Sequence, residues 1–333
     1  MTQGRQHGAA ILSAMLTVAM VAVLASAMMW QVWRSYEVEA AQRTRIQSAW
    51  ILSGALDWAR LILREDAREG GADALSEPWA VPLAPARLSD FLAAERGQTL
   101  VGDDNDPSQE AFLAGAIEDQ QARLNVRNLI EGDQISEVAL QAWGRLFVQL
   151  NLPQSELTRL SRALLAASAA TPVRPGERRP LWPHTPNDLL WLGLSPASLA
   201  SLKPWITVLP ERTPVNLNTA SALVLVAAVQ GLDMAQAEDL VRTRSKKRFN
   251  VLSDVAQQLG DADIALDAKW HGVSSRFFEV AGQLKVGQAL VQERSLIQRD
   301  GLQVRALHRH RESLTLLPQP EGETALSIPA DLQ

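Results

Sequence analysis

The sequence contains no cysteine, a single tyrosine and more acidic than basic residues. The lack of cysteine excludes disulfides and thiolate metal sites. The formal net charge of -5 gives the whole molecule no field that would attract a phosphate backbone. It also has no glycine-rich phosphate loop, no HExxH motif and no GxSxG motif. We therefore predict that the protein is not an enzyme and has no cofactor.

Charge is also absent from residues 9–33. As a helix, these 25 residues would be about 37 Å long, enough to cross roughly 30 Å of hydrocarbon. Trp30 and Trp33 lie where an interfacial aromatic belt is expected. Arg5 favours a cytoplasmic amino terminus, although Arg34 on the far side weakens that argument. Hydropathy alone is consistent with an uncleaved signal anchor.

The junction before this segment suggests another interpretation. A polar head of eight residues ends in Gly8 and leads directly into the apolar helix, which resembles the type III leader of pilins and pseudopilins. The resemblance implies cleavage by a membrane peptidase between Gly8 and Ala9, N-methylation of Ala9, and retention of the helix. Pilins usually carry glutamate at the fifth mature position, where this chain has Ser13. The K-type minor pseudopilins (the GspK family) typically lack that glutamate.

Helical periodicity continues beyond the apolar segment until Gly70 and Gly71 end it. Residues 115–129, GAIEDQQARLNVRNL, are expected to form a pair of strands joined at their polar middle. This stretch is similar to a K-type motif whose positions are occupied here by Ile117, Asp119, Arg123, Asn125 and Leu129.

Residues 214–259 predict two helices separated by a tight turn. Asn218 or Thr219 is expected to cap a helix that runs to Gln230, and Gly231 to end it. Asp233 is expected to open the next helix with a capping box. The stretch resembles a helix-hairpin-helix module, in the SAM-like N-x-N-T-A version of K-type pseudopilins; here the motif is carried by Asn216, Asn218 and Thr219.

Five positive charges follow in RTRSKKR, residues 242–248. One interpretation is a phosphate-binding patch, because related hairpins grip DNA through backbone amides. The other is a solvated helix end whose cations complement the helix dipole. The acidic Asp233 in the turn and its single glycine, Gly231, favour the solvated helix end.

The final ordered part, residues 274–314, predicts antiparallel strands with a hairpin turn at Asp300-Gly301. The expected fold class is α+β: a pilin-like long transmembrane helix and a small antiparallel sheet, interrupted by a large all-α insertion. The expected division is a leader at 1–8, a transmembrane segment at 9–33, an amphipathic helix and first part of the body at 34–129, the insertion at 130–273, closing strands at 274–314 and a flexible tail at 315–333.

Metal binding is not expected. Asp103, Asp104 and Asp106 lie in an acidic loop, but a calcium-loop template started at Asp104 lacks the required glycine and glutamate. They remain weak calcium candidates. K-type pseudopilins often bind calcium in the insertion, but the corresponding stretch of this chain has only two acids, Glu177 and Asp188. Calcium needs about six to eight oxygen ligands, so we expect the family's calcium site to be absent here.

Taken together, these motifs identify the sequence as a K-type minor pseudopilin of type II secretion. The resemblance implies a single-pass inner-membrane protein with its bulk in the periplasm. Expected partners are the I-type and J-type minor pseudopilins, the major pseudopilin, the inner-membrane secretion platform and the prepilin peptidase. It is expected to form the pseudopilus tip and to help initiate assembly. Binding of nucleic acid is not expected. The alternatives are a membrane-anchored DNA receptor and a signal-anchored adaptor.

Overall fold

The computed structural model describes residues 7–88, 111–169, 179–260, 264–286 and 289–315. It divides into two compact units, residues 1–53 and 54–333. Helix α1 begins at His7 and ends at Glu69. Gly70 and Gly71 follow with φ of +67° and +116°, a region that side chains other than glycine rarely adopt, and this ends the helix.

The first unit contains the apolar part of α1. Its described apolar side chains between Ile11 and Trp33 are exposed. Within the described part of the chain, α1 is the one helix long and apolar enough to cross a membrane. Exposed apolar side chains on such a helix are those that lipid would cover.

The second unit contains an antiparallel sheet of five strands in the order β1-β2-β9-β10-β11. Its strands are β1 (Leu83–Arg87), β2 (Ala111–Asp119), β9 (Phe277–Val286), β10 (Ala289–Asp300) and β11 (Gln303–Thr315). Between β10 and β11, Gly301 takes the first position of a two-residue turn with φ of +55°. Type II′ turns favour glycine at that position.

The carboxyl-terminal part of α1 packs on one face of this sheet. Leu56, Ala59 and Leu63 form a buried cluster with side chains that include Phe278 and Ile297. Trp79 lies edge-on to the Phe278 ring, with centroids 5.2 Å apart. The cluster is the core of the pilin-like body.

The chain leaves the sheet after β2 and returns at β9, and the residues between form a helical domain. Its helices are α2 (Glu137–Gln149), α3 (Gln154–Ser168), α4 (Pro196–Leu202), α5 (Ala222–Ala228), α6 (Met234–Lys246) and α7 (Leu252–Leu259). Three two-stranded pairs connect them: β3 (Leu124–Asn125) with β6 (Ile206–Thr207), β4 (Ile130–Glu131) with β5 (Gln134–Ile135), and β7 (Val215–Asn216) with β8 (His271–Gly272). The domain has its own hydrophobic core.

Two sequence-based expectations are wrong in this region. Residues 115–129 do not form a strand pair: β2 pairs with β1 and β9, whereas β3 pairs in parallel with β6. A short 3₁₀ helix at Gln120–Ala122 turns the chain out of the sheet. Because Leu124, Val126 and Leu129 are buried in the core of the helical domain, that domain begins before residue 130.

The start of the predicted helix-hairpin-helix module also differs from the expectation. Helix α5 is capped by Ser221, whose hydroxyl accepts a hydrogen bond from the Val224 N–H at 3.3 Å, and it ends at Ala228. Asn218 and Thr219 do not cap it, because their side chains bond elsewhere. The capping box of α6 is present, since Asp233 and Gln236 bond each other's backbone N–H groups.

Candidate functional site

The junction between the pilin-like body and the helical domain is a buried network of polar side chains centred on Asp119. Its carboxylate accepts hydrogen bonds from the Gln121 N–H at 2.7 Å, the Thr219 hydroxyl at 2.6 Å and the Ser275 hydroxyl at 2.6 Å. It also accepts one from Asn216 Nδ2 at 2.9 Å. Asp119 ends a body strand and Thr219 lies in the helical domain, so this carboxylate joins the two.

Two opposing effects act on the charge of Asp119. Burial raises the pKa of its carboxyl above the ordinary value, while hydrogen bonds from Ser275 and Thr219 lower it. The side chain is 5% exposed. A buried acid with this many donors keeps a fixed position, because any displacement would leave several polar groups without partners.

Asn216 and Asn218 organise the loop that faces Asp119. Asn216 Nδ2 lies 3.2 Å from the Asp73 carbonyl and 3.0 Å from the Ser275 hydroxyl, and its Oδ1 accepts from the Asn218 N–H at 3.0 Å. Asn218 then bonds both backbone groups of Phe249. The N-x-N-T residues thus hold the hairpin against the body and do not cap its first helix.

A second, charged part of the junction follows the end of α1. Arg299 on β10 forms ion pairs with Asp66 and Asp73, and it donates to the Ser275 carbonyl at 2.8 Å. Arg248, at the end of the hairpin, forms an ion pair with Glu77. These pairs connect α1, β10 and the helical domain.

Two carboxyl groups of this charged part, those of Asp66 and Asp73, have pKa values above the ordinary value of aspartate. Burial, followed by the charge of Glu77, raises the pKa of Asp66 to about 6, although Arg299 acts in the opposite direction. Burial also raises the pKa of Asp73. The carboxylate oxygens of Asp66, Asp73 and Glu77 lie within 4.8 Å of one another, a spacing suited to a cation, but Arg299 and Arg248 already supply positive charge there.

The comparisons with known proteins agree with this architecture. Two sequence profiles described as "Type II secretion system (T2SS), protein K" match residues 122–211 and 215–274. The chain is 26% identical to "Type II secretion system protein K" of Pseudomonas aeruginosa, over 98% of this chain and 96% of that protein. It is 24% identical to the Klebsiella pneumoniae protein of that name, over 89% and 94% of the two lengths.

This chain belongs to the family of K-type minor pseudopilins of type II secretion. A solved structure of similar fold is "The Crystal Structure of the GspK-GspI-GspJ complex from enterotoxigenic Escherichia coli Type 2 Secretion System". It superposes with a TM-score of 0.59 at 18% identity and covers 82% of this chain and 98% of the matched one. The α+β fold expected from the sequence is confirmed, and α1 supplies a membrane anchor for the pseudopilin.

The basic stretch of the pseudopilin is partly internal. Arg244 is buried and donates to the Leu217 carbonyl at 2.6 Å, Arg248 pairs with Glu77, and Arg242 pairs with Asp239. Burial lowers the pKa of Arg244 to about 10, which leaves it charged at neutral pH. Three of the five cations therefore have partners within the chain, and the geometry gives no support to a DNA receptor.

The residues predicted for processing and for filament position lie at the amino-terminal end of α1. Gly8 and Ala9 lie in the first turn of α1, and Ser13 donates its hydroxyl to the Ala10 carbonyl at 2.9 Å. Asp103, Asp104 and Asp106 fall outside the described residues. Asp188 serves as part of a capping box, since its carboxylate accepts from the Thr185 N–H at 2.9 Å.

Sequence reasoning missed most of the charged junction. Asp66, Asp73 and Glu77 lie near one another in the chain on either side of Gly70-Gly71, and this clustering of acids around a helix stop was the available signal. Their partners Arg248 and Arg299 are far away in sequence. No local pattern pairs such residues.

Proposed function

We propose that this minor pseudopilin is the distal subunit of a periplasmic pseudopilus, where it forms a tip complex with the I-type and J-type minor pseudopilins and helps initiate assembly. The similar Escherichia coli fold comes from a complex of GspK with GspI and GspJ. The bulk of the chain lies in the periplasm, and the major pseudopilin continues the filament below. The prepilin peptidase and the inner-membrane secretion platform are its further partners.

The observation that carries this proposal is the way in which the helical domain is attached. Asp119 and Phe278 are opposite each other in β2 and β9, so both ends of the helical domain emerge at the same end of the sheet. The network around Asp119, with the ion pairs of Arg299, connects that domain to the body. A large inserted domain fixed to the body suits a terminal subunit, because a stack of side-by-side subunits would have little room for it.

Ser13 supports the same position in the filament. In pilins the glutamate at the fifth mature position is thought to pair with the amine of the subunit ahead. A lone carboxylate within the membrane costs a few kcal/mol, so a first subunit gains nothing from one. Ser13 is neutral, and its hydroxyl is satisfied by the Ala10 carbonyl of its own helix. Ala9 still offers its amine to the subunit behind.

Immunogold labelling of isolated pseudopili tests the proposed position. Antibody against the helical domain should label one end of each filament, while antibody against the major pseudopilin should label its whole length. The Ser13→Glu variant should reduce secretion by introducing an unpaired carboxylate, whereas Ser13→Ala should not. Periodic labelling along the shaft by the first antibody would contradict the proposal.

A further inference from the structure

A cavity of about 320 Å³ lies between the helical domain and the β10–β11 hairpin, and none of its described lining residues belongs to the junction described above. The wall formed by the helical domain includes Arg127, Trp182 and Leu209, and the wall formed by the hairpin includes Leu307 and His308. Its volume lies at the lower end of the range typical of ligand pockets. It can therefore hold a few side chains of an extended segment.

A β-bulge shapes the wall formed by the hairpin. Leu296 pairs with His308 and Ile297 pairs with Ala306, so Leu307 is an extra residue in β11. Bulges of this kind redirect a side chain. Leu307 lines the cavity while remaining 41% exposed, which leaves an apolar group available to a ligand.

The opposite wall is held in place by internal contacts. The Leu209 N–H donates to Asn125 Oδ1 at 3.2 Å, and the β3–β6 pairing holds the same segment. The Arg127 guanidinium stacks 4.3 Å from the centroid of the Trp182 ring. A wall ordered before binding lowers the entropic cost of taking up a ligand.

The charge of the cavity indicates which ligand it fits. Arg127 forms no ion pair among the residues that the structure describes, and the lining contains His184 and His308 but no acidic side chain from those described residues. A guanidinium without a carboxylate attracts an anion, and the tryptophan, proline and leucine groups around it favour an apolar side chain. Grooves lined in this way commonly bind extended peptide segments.

From this arrangement we infer that the cavity is a docking site for an extended segment of a separate polypeptide, in which a carboxylate lies beside an apolar side chain. The carboxylate pairs with Arg127, and the apolar side chain contacts Trp182 and Leu307. This inference goes beyond the proposed function and does not rest on it. A pseudopilin without such a docking site would still form a tip complex.

Fluorescence anisotropy with the full chain in detergent micelles tests the inference. The probe is a labelled pentapeptide of sequence ELPLE, and the matched probe KLPLK reverses its charge. We expect saturable binding of ELPLE, affinity about tenfold lower in Arg127→Gln, and a similar loss in Leu307→Asp. Arg162→Gln, which changes an exposed charge on α3 away from the cavity, should leave the affinity unchanged. Unchanged thermal melting of each variant establishes that the fold is intact.

Each of the following results would overturn the inference. The first is equal affinity for ELPLE and KLPLK, and the second is displacement of ELPLE by sodium acetate at equal concentration, which would indicate a general anion site. The third is tighter binding after deletion of residues 316–333, which would make that segment the occupant. The fourth is self-association that Leu307→Asp abolishes, which would make the occupant a second copy. If the peptide fails to bind while the chain still co-purifies with I-type and J-type subunits, the docking site alone is wrong.

Discussion

Asp119 and Phe278 are opposite each other on neighbouring antiparallel strands, although the whole helical domain lies between them in the sequence. The domain is therefore an insertion between two neighbouring antiparallel strands, and both of its ends emerge at the same end of the sheet. Asp119 is also the residue whose carboxylate bonds the inserted domain through Thr219 and Asn216. The point of insertion and the point of attachment are the same.

The first prediction concerns that attachment. Asp119→Asn keeps the shape of the side chain but replaces one acceptor oxygen with a donor, so the donors around it lose a partner. We expect the free energy of unfolding of the chain in detergent to fall by about 2 kcal/mol. Asp239→Asn, which removes an exposed pair with Arg242, should change it by less than about 0.5 kcal/mol. An equal effect of the two changes would show that the junction has no special role.

The second prediction concerns pH. The pKa of Asp66 is raised from 3.8 to about 6 in the folded state, so the folded chain binds this proton more tightly than the unfolded chain does. The resulting stabilisation is fully present below the unfolded pKa and is lost as the pH rises through about 6. Asp66→Asn should remove this dependence between pH 4 and 6, measured as the difference in unfolding free energy between variant and parent. Parallel curves for the two proteins would refute it.

The third prediction concerns His271, which acts in the opposite direction. Burial lowers its pKa, and its Nδ1 accepts a hydrogen bond from the Asp267 N–H at 3.1 Å, which a protonated ring cannot do. Its stabilisation is present above the unfolded pKa of about 6.5 and is lost as the pH falls below it. In His271→Gln, the free energy of unfolding measured by urea titration should fall less as the pH is lowered below about 6.5. His310→Gln, which changes an exposed histidine, serves as the control.

The fourth prediction concerns processing. Cleavage after Gly8 should give a mature chain that begins at Ala9 and carries an N-methyl group, which intact-mass spectrometry will detect. Gly8→Val should block the cut and abolish secretion, whereas Ser13→Ala should be processed normally. Detection of residues 1–8 on the protein in cells that secrete at full rate would contradict the prediction.

The fifth prediction concerns calcium. Because Arg299 and Arg248 already pair with the carboxylates of Asp66, Asp73 and Glu77, millimolar calcium should not raise the melting temperature, as a ligand bound only to the native state would. If a shift appears and EGTA removes it, two variants locate the ion. Loss of the shift in Glu77→Gln would place it at the junction, and loss in Asp104→Asn would place it in the acidic loop.

Several elements of the fold follow from local rules that apply to neighbouring residues. An uncharged apolar run gives a helix, and Gly70 ends that helix because its positive φ costs glycine little. Asp233 and Gln236 form a capping box because they are three residues apart. Gly301 reverses the chain in the last hairpin. Each of these features depends on groups within a few residues of one another.

The junction depends on residues that lie far apart in the sequence and meet only in the folded chain. Thr219 could cap a helix locally, but its hydroxyl bonds the Asp119 carboxylate instead, because a buried carboxylate needs several donors and the neighbouring Gln121 N–H supplies one of them. Arg299 likewise pairs with Asp66, which is 233 residues away in the sequence. Such pairs form only when the fold brings distant segments together and removes water from between them, so no local pattern in the sequence encodes them.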